Sequence, residues 1–468
     1  MTRTKQVKNF TEGAILPHIV RFAIPLMLTG VMQLLFNTAD TIVVGRWGGD
    51  TPEACENALA AVGSCGSLIN LLTLLFANLA LGTSVGVAQD LGAKNYDGIR
   101  KNVHTSVALS LVSSVVVMII GFTCARPLLL LMGTDPAVID GAVAYMFAYF
   151  CGIPASFLYN YCAAALRAVG ESTRPMKYLF VAGIVNVGLN LIMVLVFKLG
   201  ALGVGIATAA SFWMACILVV IHMIRSDAPY HLDIRKIAFD KEKLKSILRI
   251  GIPAGVQGMV FSISHVLIQS SVNSLGKAVV AGNAAAANIE GYAYQPMIAI
   301  YHAAVTFVGQ HKGAKLYKRM KKCILLCMVS VAVIGLVLGW GIYLLGPVLM
   351  ELYTPGNPAA IDAGVTRMSI MLTLYFSCGL MEVGSGVMRG LGRSTTSMIT
   401  SLTGSVAFRI FWILVVFAKF PTLVVLYLSY PIAWVLTACA HYTLGFFALR
   451  KDERAALAEE QEKVLAKT

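Results

Sequence analysis

The sequence predicts an all-α integral membrane protein, with twelve transmembrane helices forming two pseudo-symmetric six-helix lobes about a central cleft. Three observations carry that prediction. The 468 residues are 57% hydrophobic and 13% charged, with a mean hydropathy of +0.76, well outside the range of a soluble domain. Apolar runs of roughly 20 residues recur along the chain, each long enough to cross ~30 Å of hydrocarbon as a helix. The second half of the chain also repeats the first. A membrane barrel is excluded, because it needs segments of about ten residues alternating polar and apolar, and none is present.

Apolar runs bounded by charge or turn residues give the twelve spans in order: 22–45, 57–81, 102–124, 138–164, 176–198, 202–224, 248–274, 279–308, 323–345, 365–387, 397–418 and 421–448. The polar, basic N-terminus ahead of the first run lacks a small-residue cleavage site, so that run is expected to be a retained helix. An even number of spans puts both termini on one side. With the N-terminus cytoplasmic, 30 of the 37 lysines and arginines lie on that side; Arg46, Arg126, Lys198, Lys277, Arg367 and Lys419 fall in the opposite loops. This asymmetry predicts a multi-pass plasma-membrane protein, of prokaryotic type, with both termini cytoplasmic.

The repeat is carried by four matched pairs. "VAQDLGAKNYDGIRKN" (87–102) aligns with "VGQHKGAKLYKRMKKC" (308–323), and "PAVID" (136–140) with "PAAID" (358–362). "LRAVGESTRPM" (166–176) aligns with "MRGLGRSTTSM" (388–398), and "RFAIP" (21–25) with "RIGIP" (249–253). An offset spanning six helices gives the halves the same membrane orientation, related by an axis along the membrane normal. The expected division is an N-terminal lobe at 1–235, a C-terminal lobe at 236–450 and a polar cytoplasmic tail at 451–468, a solvated helix or disordered.

The net charge of +14 does not point to nucleic acid, because the basic residues sit in short loops with no basic arm. Ten cysteines, scattered singly without CxxC or Cys/His spacing, read as small core residues. No HExxH, GxSxG or paired aspartate motif suggests an enzyme. The expected partners are the bilayer and a small solute.

A charged carboxylate mid-span costs roughly 2.5–3.5 kcal/mol even on the mildest insertion scale, so it faces protein or water. Asp40 is the only acid in the first span, and Gln33, Asn37 and Asp40 share one helical face at i, i+4, i+7. A partly desolvated carboxylate of this kind binds a proton or a sodium ion, or serves as a hydrogen-bonded structural acid. Asn186 and Asn190, at i, i+4 in the fifth span, are either partners of that stripe or interhelical glue. In the C-terminal half, His265 and Glu290 fall at comparable depth, and Glu382 and Arg409 in neighbouring spans read as a structural salt bridge. Phe36, Tyr149, Tyr159, Tyr292, Tyr294 and Met297 either line an adaptable cavity for apolar or cationic compounds or pack helices together.

The motifs "RFAIPLMLTGVMQLLFNTADTIVVGRWGG", "LAAVGSCGSLINLL", "GVAQDLGAKN" and "LRAVGESTRP", with their C-terminal echoes, resemble the multidrug and toxic compound extrusion (MATE) family over about residues 12–450. The resemblance implies a monomeric twelve-helix secondary antiporter. It would export small amphipathic or cationic solutes by alternating access, driven by inward sodium or proton flow, with no cofactor beyond that ion. It implies that Asp40 is the cation-coupling aspartate, with Na+ at Asp40 one of the two possibilities. Asn186 and Asn190 match positions of the DNA-damage-inducible branch, although Asn190 stands where an aspartate is typical there. Helix seven has no acid, and Glu382 replaces the deeper aspartate of the norfloxacin-exporter branch, so a C-lobe sodium site of that type is not expected. The alternative within the superfamily, a flippase for lipid-linked oligosaccharides, calls for a strongly basic cleft, whereas only Arg409 lies clearly within a span.

Overall fold

The computed structural model describes residues 9–465, and what it describes is helical apart from turns and short loops. The long helices are α1 (Ile15–Trp47), α2 (Pro52–Gly92), α3 (Tyr96–Leu131), α4 (Pro136–Ala168), α5 (Thr173–Leu191), α6 (Gly200–Ile224), α7 (Lys241–Asn273), α8 (Lys277–Gly313) and α9 (Tyr317–Leu344). They continue through a short α10 (Gly346–Tyr353), α11 (Pro358–Met371), α12 (Tyr375–Gly390), α13 (Ser394–Ser401), α14 (Phe408–Trp412) and α15 (Leu423–Leu465). Each of the twelve expected spans falls on helix to within two residues, the tenth being shared by α11 and α12.

Among the described residues, ten helices are long and apolar enough to cross a membrane, or eleven if α11 and α12, bent by 52° at their junction, count as one span. The twelfth crossing-length helix is α8, with 37 residues. Its asparagines, Glu290 and tyrosines make it too polar to meet the same criterion, as suits a helix that faces protein.

The sequence repeat is visible in the backbone. Lys94 and Lys315 of the two GAK triplets both take left-handed backbone, at φ 57° and 56°, on leaving α2 and α8. Asp135 and Asn357 each cap a helix that opens with proline, their side chains accepting from the N–H of Ala137 and Ala360. Gly170 and Gly392, one residue before Glu171 and Arg393, are left-handed at the matching exits of α4 and α12.

The chain packs into two units. The first comprises Leu28–Val87 and Asn95–Gly255; the second comprises Asn9–Met27, Ala88–Lys94 and the chain from Val256 onward. Two of the three changeovers inside a helix fall two residues after a proline, Pro25 in α1 and Pro253 in α7, where a backbone hydrogen bond is missing; the third, in α2 after Val87, follows none. The first unit's core joins Val44, Cys65, Met146, Phe150 and Phe157. In the second, Phe307, Met297, Val331, Met381 and Tyr427 are central, and Phe10 stacks on Phe307 at 4.1 Å.

Helix α15 is one continuous helix of 43 residues, so the polar tail as far as Leu465 extends the last span. It is anchored by ion pairs: Asp452 with Arg393 (2.7 Å) and Lys312 (3.3 Å), Glu453 with Lys321 (2.7 Å) and Glu459 with Lys315 (2.6 Å). Residues 466–468 of that tail lie outside the described residues.

Candidate functional site

In the first unit, α1 brings Asp40 against the end of α5. The Nδ2 group of Asn190 donates to Asp40 Oδ1 and makes a second, longer contact with Asn186 Oδ1 at 3.3 Å. Asn190 is 1% exposed and Asn186 is also buried, whereas Asp40 is half-buried. The Oδ1 of Asn190 is sealed from solvent and receives no hydrogen bond. Immediately after Asn190 the helix widens into a π-helical turn, Ile192–Val196, a local form frequent at functional sites.

The polar stripe of α1 divides at this point. Gln33 and Asn37 share the face of Asp40 but are exposed, so the sequence-predicted residues brought together here are Asp40, Asn186 and Asn190. Phe36 lies over Gly183 of α5, where a side chain's Cβ would overlap its ring. Tyr149 sits among Tyr145, Phe150 and Phe212, with ring centroids 5.6–6.3 Å away. Tyr159 donates to the carbonyl of Pro175 at 2.8 Å, tying α4 to the start of α5.

The second unit holds a larger polar network. Arg367 of α11 meets Glu290 of α8 fork to fork, Nε to Oε1 at 2.8 Å and Nη2 to Oε2 at 2.6 Å, and its Nη1 donates to Asn283. Tyr427 donates to Asn283 Oδ1 (2.9 Å), Asn283 donates to Gln269 (3.1 Å), and Gln269 to Asn273 (2.9 Å). The network therefore ties α7, α8, α11 and α15, and its central carboxylate has its charge matched. Arg367, which stands at the margin of an apolar run and is expected from the charge distribution in a loop, is buried inside a helix.

Glu382 and Arg409 do not form the salt bridge expected of them. Glu382 accepts from Tyr294 (3.1 Å), and Arg409 lies over the Tyr430 ring, 4.2 Å from its centroid. The two side chains turn toward different helices, α8 and α15, and the acid that pairs with a buried arginine in this unit is Glu290. His265 is exposed, its ring 6.5 Å from that of Tyr430. Met297 is fully buried against Gly379, and Tyr292 is half-buried.

The MatE family profile matches the chain twice, at residues 25–192 and 253–413, one match in each half and together more than half of its length. The chain belongs to the MatE family. As a MATE protein it is a membrane transporter and not an enzyme. Among its relatives is the probable multidrug resistance protein YoeA of Bacillus subtilis, 27% identical over 92% of this chain and 94% of that protein. Another is YpnP of the same organism, named in the same terms, 27% identical over 87% and 88%. Among solved structures, the outward-facing conformation of a multidrug resistance MATE family transporter of the MOP superfamily superposes with a TM-score of 0.88. It is 21% identical and covers 96% of this chain and 99% of that one. A MOP superfamily transporter from Pyrococcus furiosus gives the same TM-score at 22% identity, covering 96% and 99%. These likenesses establish the MATE fold.

Proposed function

We propose that this MATE transporter is a secondary active antiporter that exports amphipathic or cationic compounds, exchanging them for a proton or sodium ion captured at Asp40. The multidrug resistance names of its relatives support the substrate class. Asp40 on α1 together with Asn186 on α5 favours a place near the DNA-damage-inducible branch of the family. One chain supplies the whole Asp40 site, which suits a monomer.

The observation that carries the coupling reading is the contact between Asp40 and Asn190. A carboxylate at this depth costs about 2.5–3.5 kcal/mol, and neutralisation by a cation relieves that cost. An energy of that size corresponds to roughly a 70- to 400-fold change in a conformational equilibrium, enough to reverse a tenfold preference between inward- and outward-facing forms. Asn190 suits both states of the acid. Its amide donates to the carboxylate and, turned about its last torsion, presents Oδ1 to a protonated Asp40 or to a bound sodium ion.

The test is efflux from proteoliposomes under separately imposed sodium and proton gradients. Asp40→Asn is expected to keep the thermal stability of the parent and to lose at least nine-tenths of gradient-driven export. Undiminished efflux from that variant would overturn the assignment. The gradient that drives the parent identifies the ion.

A further inference from the structure

Arg409 is a cation placed within a membrane-crossing helix with no anion to meet it among the described residues. It is 2% exposed, and among the described residues its partner is the ring of Tyr430. The Nε is sealed and unpartnered. Its terminal nitrogens make no hydrogen bond among the described residues. The other two buried arginines of this unit are matched by oxygen: Arg367 by both oxygens of Glu290, and Arg389 by Gln257 Oε1 at 2.9 Å and the hydroxyl of Tyr301. Glu290 and Glu382 are already engaged, by Arg367 and Tyr294 respectively. A cation–π contact recovers less than a buried charge forfeits on leaving water.

The backbone marks the same place. Arg409 lies in the five-residue α14, with π-helical turns at Leu402–Ala407 before it and Ile413–Phe417 after it. The second turn is the repeat counterpart of Ile192–Val196 after Asn190, whereas the first has no counterpart in the other half. By the offset of 222 that relates "LRAVGESTRPM" to "MRGLGRSTTSM", Arg409 corresponds to Val187, beside Asn186; by the offset of 228 of the opening motif, Asp40 corresponds to Ile268. Each half therefore carries one charge in this set of positions, acidic in the first and basic in the second. Tyr430 links Arg409 to the exposed His265, so the guanidinium lies one ring in from an accessible face.

We infer that Arg409 is the receptor for an oxyanion, a carboxylate or phosphate on an amphipathic body, so that zwitterionic and anionic amphiphiles join the substrates of this transporter. Five N–H donors in a planar fork match such a group, and a low-dielectric surrounding strengthens the contact. The inference rests on the export reading above. It is tested by equilibrium binding without any gradient, so failed coupling at Asp40 and failed anion recognition give separate results.

The probes are rhodamine B, which carries a free carboxylate, and its ethyl ester, which does not, read by fluorescence polarisation on the full-length protein in neutral detergent. The parent is expected to bind the carboxylate form at least tenfold more tightly than the ester. Arg409→Gln should bring the two affinities within twofold by weakening only the carboxylate form. Arg409→Lys, which keeps the charge without the fork, should fall between and serves if the glutamine variant does not fold. Equal affinities in the parent, or a preference that survives in Arg409→Gln, would overturn the inference. Dihexanoyl phosphatidylglycerol distinguishes the source of the anion. If it displaces rhodamine B where the phosphatidylcholine analogue does not, an oxyanion receptor is supported with a lipid phosphate as its natural occupant. If neither lipid displaces it while the tenfold preference holds, the anion belongs to the solute.

Discussion

Glu290 and Arg367 show what a buried charge requires in this fold. Both are almost fully buried, and their fork-to-fork pairing leaves each with its charge matched and with Asn283 taking a further N–H. Such a pair adds little net stability, because desolvation offsets the attraction, but breaking it by removing one partner costs about 3–5 kcal/mol. Glu290→Ala is therefore expected to lower the thermal midpoint in detergent by several degrees. The double variant Glu290→Leu with Arg367→Met should regain most of that loss. If the double variant is as unstable as the sum of its singles, the pair does not act as a unit and the network contributes through Asn283 and Tyr427 instead.

At the scale of helices, close approach decides which positions tolerate a side chain. A Cβ on Gly335 of α9 would lie 2.6 Å from the Cα of Phe376 on α12, a contact the α12 backbone cannot yield to, whereas nothing lies within 4 Å of the corresponding point on Gly341. Small residues at such crossings let helices pack without a hydrophobic drive between them. Gly335→Leu should destabilise the protein by an amount typical of overpacking, about 1–3 kcal/mol or more, and Gly341→Leu should be neutral, both read as thermal midpoints. The spans themselves were legible in sequence because each is an apolar run closed by charge, and the repeat was legible because its turns need the same residues, as Lys94 and Lys315 show. The break at Leu372–Leu374 was not, since "MLTLYF" carries no proline or glycine to announce a 52° bend. Partner choice was also hidden. Arg367 and Glu290 are 77 residues apart, and hydropathy alone assigned the arginine to a loop. Of the first-unit site, the i, i+4 asparagines and Asp40 were readable as polar positions, but that Asn190 and not Asn37 meets the acid depends on how α1 and α5 are rotated about their axes.

For the molecule as a whole, the open question of sidedness has a physical answer that can be tested. The loop between α8 and α9 and the turn after α12 lie on one side of the second unit's spans, because Lys312, Lys315, Lys321 and Arg393 from these segments all pair with acids on the α15 extension. Gln89 Nε2 also donates to the carbonyl of Gly390, which adds the end of α2 to the same side. These are among the segments that carry 30 of the 37 lysines and arginines, and positive charge near span ends is retained in the cytoplasm during insertion. A fluorescent protein fused after Thr468 should therefore mature and fluoresce, alkaline phosphatase at the same point should be inactive, and phosphatase inserted at Thr134, between α3 and α4, should be active. The reverse pattern would place both termini outside and refute the orientation. Deleting residues 451–468 should leave that pattern unchanged. The exposed pairs on the extension are worth about 0–1 kcal/mol each, and Asp452, held between Lys312 and Arg393, is the one whose loss should register, as a small fall in midpoint that added salt diminishes.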